Sequence, residues 1–67
     1  MVPITVNGEP RSCAEGSSIV QLLETLGLHP RLVVVEHNRV ILRREQLDEV
    51  EVREGDEFEL VHFVGGG

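Results

Sequence analysis

Only one stretch of this chain carries a helical repeat. Ile19, Leu22, Leu23 and Leu26 fall at i, i+3, i+4 and i+7, which is a single apolar stripe. Ser18 stands just ahead of it and Gln21 three residues further on, the pattern of a capping box. Gly27 offers a left-handed end and Pro30 prevents continuation, so the predicted helix is two to three turns long. Elsewhere the apolar residues follow a strand period or cluster in short β-branched runs. One short helix among several strands satisfies the packing of layers by lying across one face of a sheet.

The strands can be placed in order. Val2, Ile4 and Val6 alternate with Pro3 and Thr5, the pattern of a half-buried strand. Asn7-Gly8 follows, a strong hairpin signal because both residues accept positive φ. Arg11 to Ala14 is the expected returning strand, closed by Glu15-Gly16. After the helix, Leu32 to Val35 form a continuous run that suits a central strand. His37-Asn38-Arg39 is a turn, and Val40-Ile41-Leu42 a short partner strand. Arg43 to Asp48 is polar around Leu47 and is expected as a helical turn or loop, followed by the alternating Val50 and Val52. Glu54-Gly55-Asp56 is a tight turn, and Phe58 to Phe63 the last strand. The expected fold is α+β: a ubiquitin-like β-grasp, a mixed sheet of four to five strands with one main helix packed across it. The final strand pairs centrally beside the first. Residues 1–64 form this domain and residues 65–67 a flexible C-terminal glycine tail.

Charge and composition exclude several functions. The chain has 67 residues, 6 Lys+Arg, 12 Asp+Glu and a net charge of −6, so a basic nucleic-acid footprint is lacking. All the basic residues are arginine, and residues 45–67 hold eight acids against one arginine. That segment suits either a solvated face or a basic partner surface. One cysteine leaves no internal disulfide and no cysteine-rich zinc site. No apolar run approaches the roughly 20 residues of a membrane span, and MVPITVNGEP does not have the form of a signal peptide. The expected setting is the cytoplasm, with no nucleic-acid or membrane partner.

The usual catalytic groups are not arranged for chemistry. Cys13 sits on a strand with no neighbouring histidine in sequence, which suits a structural thiol. His29, His37 and His62 lack metal-ligand spacing, so no metal is expected. Gly65-Gly66-Gly67 lacks the strand and helix that frame a phosphate loop. The three glycines support two readings. One is a frayed chain end. The other is an arm whose missing Cβ atoms let its backbone thread a narrow channel in another protein. In the second reading the reacting group is the Gly67 carboxylate, with Gly65 and Gly66 entering the channel. A carboxylate must be activated before acyl transfer, and ATP does so by forming an acyl-adenylate. This chain has no phosphate-binding motif, so a partner must hold the ATP. On the last strand, Phe58, Leu60 and His62 share one face and are expected to be core. Val61 and Phe63 share the other, and with Val64 they are the candidate partner-binding residues.

The order of elements, the length, the run Glu54-Gly55-Asp56-Glu57-Phe58-Glu59-Leu60-Val61 and the ending Val64-Gly65-Gly66-Gly67 resemble the ThiS family over essentially the whole chain. These are the sulfur carrier proteins of thiamine biosynthesis. The resemblance implies a carrier and co-substrate with no catalytic residues and no bound cofactor. A ThiF-like adenylating enzyme, related to the activators of ubiquitin-like proteins, joins the Gly67 carboxylate to AMP. A cysteine desulfurase relay supplies the sulfur donor, and a thiocarboxylate results. A ThiG-like thiazole synthase then takes that sulfur into the thiazole. Similar chains serve as the small subunit of molybdopterin synthase or as sulfur carriers of other pathways, such as cysteine synthesis. A lysine-conjugated protein modifier and a non-reactive β-grasp interaction module are the readings from other classes.

Overall fold

A computed structural model of the chain describes residues 1–63. Strand β1 (Val2–Val6) and strand β2 (Glu9–Cys13) form a hairpin, followed by helix α1 (Ile19–Thr25). A 3-10 turn (Pro30–Leu32) leads into β3 (Val33–His37), β4 (Val40–Leu42), a second 3-10 turn (Arg44–Gln46) and β5 (Glu57–His62). The five strands make one mixed sheet in the order β2-β1-β5-β3-β4. The β1–β5 pair is parallel and the other pairs are antiparallel. This is the expected β-grasp, with the last strand inserted between the first hairpin and the second.

The helix is closed at both ends as its sequence requires. The Ser18 hydroxyl accepts from the Gln21 amide at 3.1 Å, and the Gln21 side chain accepts from the Ser18 amide at 2.9 Å. At the other end Gly27 has φ +77°, the Leu28 amide donates to the Leu23 carbonyl and the Gly27 amide to the Glu24 carbonyl. That pair of bonds is a Schellman motif, and the left-handed residue it needs is costly for anything but glycine. Ile19, Leu22 and Leu23 are buried against Ile4, Val6, Val33, Val35, Phe58 and Leu60, while Leu26 is half-buried at the rim.

Several boundaries differ from the sequence reading; among them β2 ends at Cys13 instead of Ala14, and β3 runs on to His37, which the sequence places in a turn, because His37 pairs with Val40 and Phe58. The returning strand begins at Glu9 instead of Arg11, because Asn7-Gly8 is a two-residue loop that pairs Val6 directly with Glu9. Pro10 is tolerated because β2 is an edge strand. Leu32 is not in β3. The His29 ring nitrogen accepts from the Arg31 amide and the Leu32 amide donates to the His29 carbonyl, which winds 30–32 into a 3-10 turn. Val50 and Val52 alternate but form no named strand. Their segment turns to the helix instead: the Ile19 amide donates to the Val50 carbonyl and the Val20 amide to the Leu47 carbonyl, two donors that α1 cannot satisfy internally. Buried Leu47 and Val52 plug the same end of the core. Finally β5 stops at His62, and Phe63 lies just beyond it.

Leu23 is fully buried. Leu23→Ala is expected to destabilise the protein by about 2–5 kcal/mol, as cavity-forming leucine deletions do. Denaturant midpoints check this, and a change under about 0.5 kcal/mol contradicts the packing described.

Candidate functional site

Among the described residues, helix α1 covers one face of the sheet and no element covers the other. Directly opposed residues share a face, so the register collects Val34 with Val61, Glu36 with Glu59, and Ile41 with Glu36 on the open side. Val61 is 58% exposed and Ile41 67%, while Val34 is half-buried between their strands. Phe63, one residue past β5, is 54% exposed. The exposure expected for Val61 and Phe63 is therefore found. On the opposite side Phe58 and Leu60 are buried as expected, but His62 is exposed at the end of the strand. Val64, Gly65, Gly66 and Gly67 lie outside the described residues, and so does the expected tail.

Beside the apolar patch, Glu36, Arg39, Glu57 and Glu59 line an open groove of about 470 Å³. Glu36 and Glu59 stand directly across from each other on β3 and β5, a like-charge pairing that costs stability. The open face thus combines aliphatic side chains with a carboxylate rim.

A second cluster was not visible in the sequence. Asp56 is buried at the start of β5, and its carboxylate accepts from the Arg53 amide at 2.9 Å and from the Asn38 side-chain amide at 3.1 Å. The His37 Nε2 lies 2.9 Å from the same carboxylate, and the His37 ring stacks on Phe58 at 5.0 Å between centroids. Burial alone would raise the Asp56 carboxyl. The Arg53 amide, His37 and Asn38 outweigh it and hold the carboxyl below the usual carboxylate range. The arrangement ties the β3–β4 turn to the root of β5. His37, at the end of β3, and Asp56, in the Glu54-Gly55-Asp56 turn, lie 19 residues apart, so no local pattern links them.

The remaining candidates sort simply. Cys13 is buried, and that burial pushes its thiol above the ordinary range. His29 caps the 30–32 turn. Among the described residues no three of His, Cys, Asp and Glu gather as metal ligands, and no helix is long and apolar enough to cross a membrane.

Comparison with known proteins agrees with this geometry. The family model described as "ThiS family" matches residues 4–67. The sulfur carrier protein ThiS of Bacillus subtilis is 37% identical over 65 residues, covering 96% of this chain and 98% of that one. The thiazole synthase of Magnetococcus marinus is 41% identical over 64 residues, and that of Paramagnetospirillum magneticum 38%. The chain spans about a fifth of the length of these two synthases. The crystal structure of thiamine biosynthesis protein ThiS from Geobacter metallireducens superposes with a TM-score of 0.83 at 38% identity, covering 98% of this chain and all of that one.

The Asp56 cluster makes stability depend on pH. Its carboxyl is lowered in the fold, so its contribution is present above the ordinary carboxylate value of about 4 and is lost as pH falls below it. Thermal melts from pH 7 to pH 3 should show a loss of stability below about pH 4 that is shallower in Asp56→Asn. Equal slopes in the two proteins contradict this account.

Proposed function

The chain belongs to the ThiS family, and we propose on that premise that it is a sulfur carrier of thiamine biosynthesis whose Gly67 carboxylate is the working group. The observation that carries the reading is an exposed Val61 and Phe63 on and just past the central strand, directly ahead of Gly65-Gly66-Gly67. The relatives support thiazole formation over molybdopterin synthesis or protein modification, since they are a ThiS sulfur carrier and two thiazole synthases.

The chemistry follows from the carboxylate. A ThiF-like adenylating enzyme binds ATP, and a Gly67 carboxylate oxygen attacks the α-phosphorus with pyrophosphate leaving. A persulfide on the cysteine desulfurase relay then attacks the acyl carbon and AMP leaves, and a second thiol cleaves the resulting acyl disulfide, ending as a disulfide with the relay cysteine and freeing the acyl sulfur. The resulting thiocarboxylate gives up its sulfur to a ThiG-like thiazole synthase. The synthases that contain a segment like this chain support that last partner. ATP and the sulfur donor belong to the partners, and the compartment required is one with ATP and free thiols, the cytoplasm. This chain contributes an open sheet face to dock with, a carboxylate rim that attracts a basic surface, and a glycine arm without Cβ atoms. The reading requires a free carboxylate at Gly67.

Two variants test it. Phe63→Ser removes exposed apolar area from the docking face, so it should raise KM for adenylation by about 10-fold while the melting temperature changes little. An unchanged KM removes Phe63 from the docking surface. Deleting Gly67 shortens the arm by about 3.5 Å and should reduce adenylation by 100-fold or more, about what a misplaced reacting group costs. Folding should be unaffected. Pyrophosphate release with the cognate enzyme and intact mass after adding a sulfur donor are the readouts. A truncated chain that is adenylated and sulfurated at the normal rate sinks the carrier assignment.

A further inference from the structure

The two edges of the sheet are built alike and finished differently. Strands β2 and β4 are the outer strands. Each follows a two-residue turn with positive φ at both positions, Asn7-Gly8 and Asn38-Arg39. In such hairpins the pair beside the turn is hydrogen-bonded and the next pair is not, so the second residue of the returning strand points its backbone amide and carbonyl outward. That residue is Pro10 in β2, paired with Thr5, and Ile41 in β4, paired with Glu36. Proline has no amide to offer, so β2 is closed to a further strand at this position. Ile41 has one. The next outward groups of β4 are already taken: the Arg43 amide donates to Gln46 Oε1 at 2.8 Å, and the Arg43 carbonyl accepts from the Gln46 amide at 2.9 Å. The opening in this edge is therefore the backbone donor and acceptor of Ile41, flanked by the exposed side chains of Val40 and Ile41.

An arginine stands on each side of the opening, Arg39 two residues before Ile41 and Arg43 two residues after it. With Arg44 they are three of the six basic residues in a chain of net charge −6, and all three are exposed. Among the described residues no carboxylate lies within ion-pair distance of any of them. Arg39 also holds φ 72° at a turn position where glycine is usual. That is a backbone cost for which no ion pair compensates.

We propose that the β4 edge receives an extended acidic segment of another protein, added antiparallel as a sixth strand, with two backbone hydrogen bonds to Ile41 and carboxylates on Arg39 and Arg43. The central residue of the segment stands opposite Ile41, and its acids stand two places to either side. Backbone bonds supply the attachment and the arginines select the sequence. A second copy of this chain does not fit. Self-pairing centred on Ile41 sets Arg39 directly against Arg43 of the other copy, a like-charge opposition, and β2 of another copy presents Pro10. Glu36 stands one strand further in, about 10 Å from an added strand, and Arg39 lies beside it. Two hydrogen bonds and two exposed ion pairs make a weak, salt-sensitive contact. The pairing needs no residue past 63 and no sulfur chemistry, so it holds whatever becomes of the carrier reading.

The probe is the blocked peptide Gly-Glu-Thr-Val-Thr-Glu-Gly, titrated at low salt into the full chain labelled with nitrogen-15. Amide shifts should centre on residues 39–43 and saturate with a Kd of about 1 mM. The Ile41 amide should gain protection from hydrogen exchange. The same peptide with Lys in place of Glu should not bind. Methylating the central valine nitrogen of the peptide removes its donor to the Ile41 carbonyl and should weaken binding about 10-fold. Ile41→Pro, which copies the Pro10 arrangement, should do the same, and Arg39→Gln should weaken it about 3-fold. Should Ile41→Pro not fold, the methylated peptide asks the same question of the unaltered chain. Absence of binding, shifts centred on Val61 and Phe63, or equal binding of the lysine or methylated peptide overturns the proposal. Sedimentation without peptide completes the test: a monomer is expected, and a dimer that Arg39→Gln strengthens makes a second copy the occupant and overturns it as well.

Discussion

Everything in this fold depends on how the last strand is held between two hairpins. The parallel pairing of β1 with β5 is only two residues long, Thr5 with Glu57 and Val6 with Phe58. It joins parts of the chain more than fifty residues apart, so its closure entropy is the largest in the structure. The pairing is completed by a side chain. The Asn7 amide donates to the Phe58 carbonyl at 2.8 Å, and the Asn7 side chain then takes up both the amide and the carbonyl of Leu60, at 2.7 and 3.3 Å. Asn38 does the same from the other flank: its amide donates to the Glu57 carbonyl at 2.8 Å and its side-chain oxygen accepts from the Glu57 amide at 2.9 Å. Asn7 and Asn38 sit at φ 51° and 50° as the first residues of their turns. Asparagine tolerates that left-handed backbone and also presents a carboxamide, so one residue turns the chain and grips the neighbouring strand.

This explains which parts of the fold were legible in the sequence. The helix, its capping box and its Gly27 end are local, and each is written within a few residues. The Asn7-Gly8 loop is equally local, so β1 and its turn were placed correctly. The start of β2 is not legible, because Glu9 and Pro10 carry no strand propensity and are strand only by pairing with Val6 and Thr5. Val50 and Val52 are the reverse case. Their alternation suits a strand, but the free amides at the start of α1 claim the backbone of that segment.

The site shows the same division. Exposure of Val61 and Phe63 followed from strand alternation once Phe58 and Leu60 were taken as core. The bracing of β5 did not follow, because Asp56, His37 and Asn38 meet only in the folded chain. Two asparagines that begin hairpin turns were a usable signal, since a carboxamide in that position can reach a third strand. Leu32 was hidden because its apolar character merged it with the valines of β3. Only the His29 and Pro30 cap separates it from them.

A sheet with one helix has one covered face, and among the described residues no second layer covers the other. Ile41 and Val61 on that open face, with Phe63 at its edge, are a consequence of the architecture as much as of any partner. The charge placed among them is not. Glutamates directly opposed at 36 and 59, with Glu57 beside them, give up sheet stability that a Thr or Gln pair would keep. They make the uncovered face repel copies of itself while remaining attractive to a basic surface. The fold supplies the open face, and the glutamates choose what may cover it.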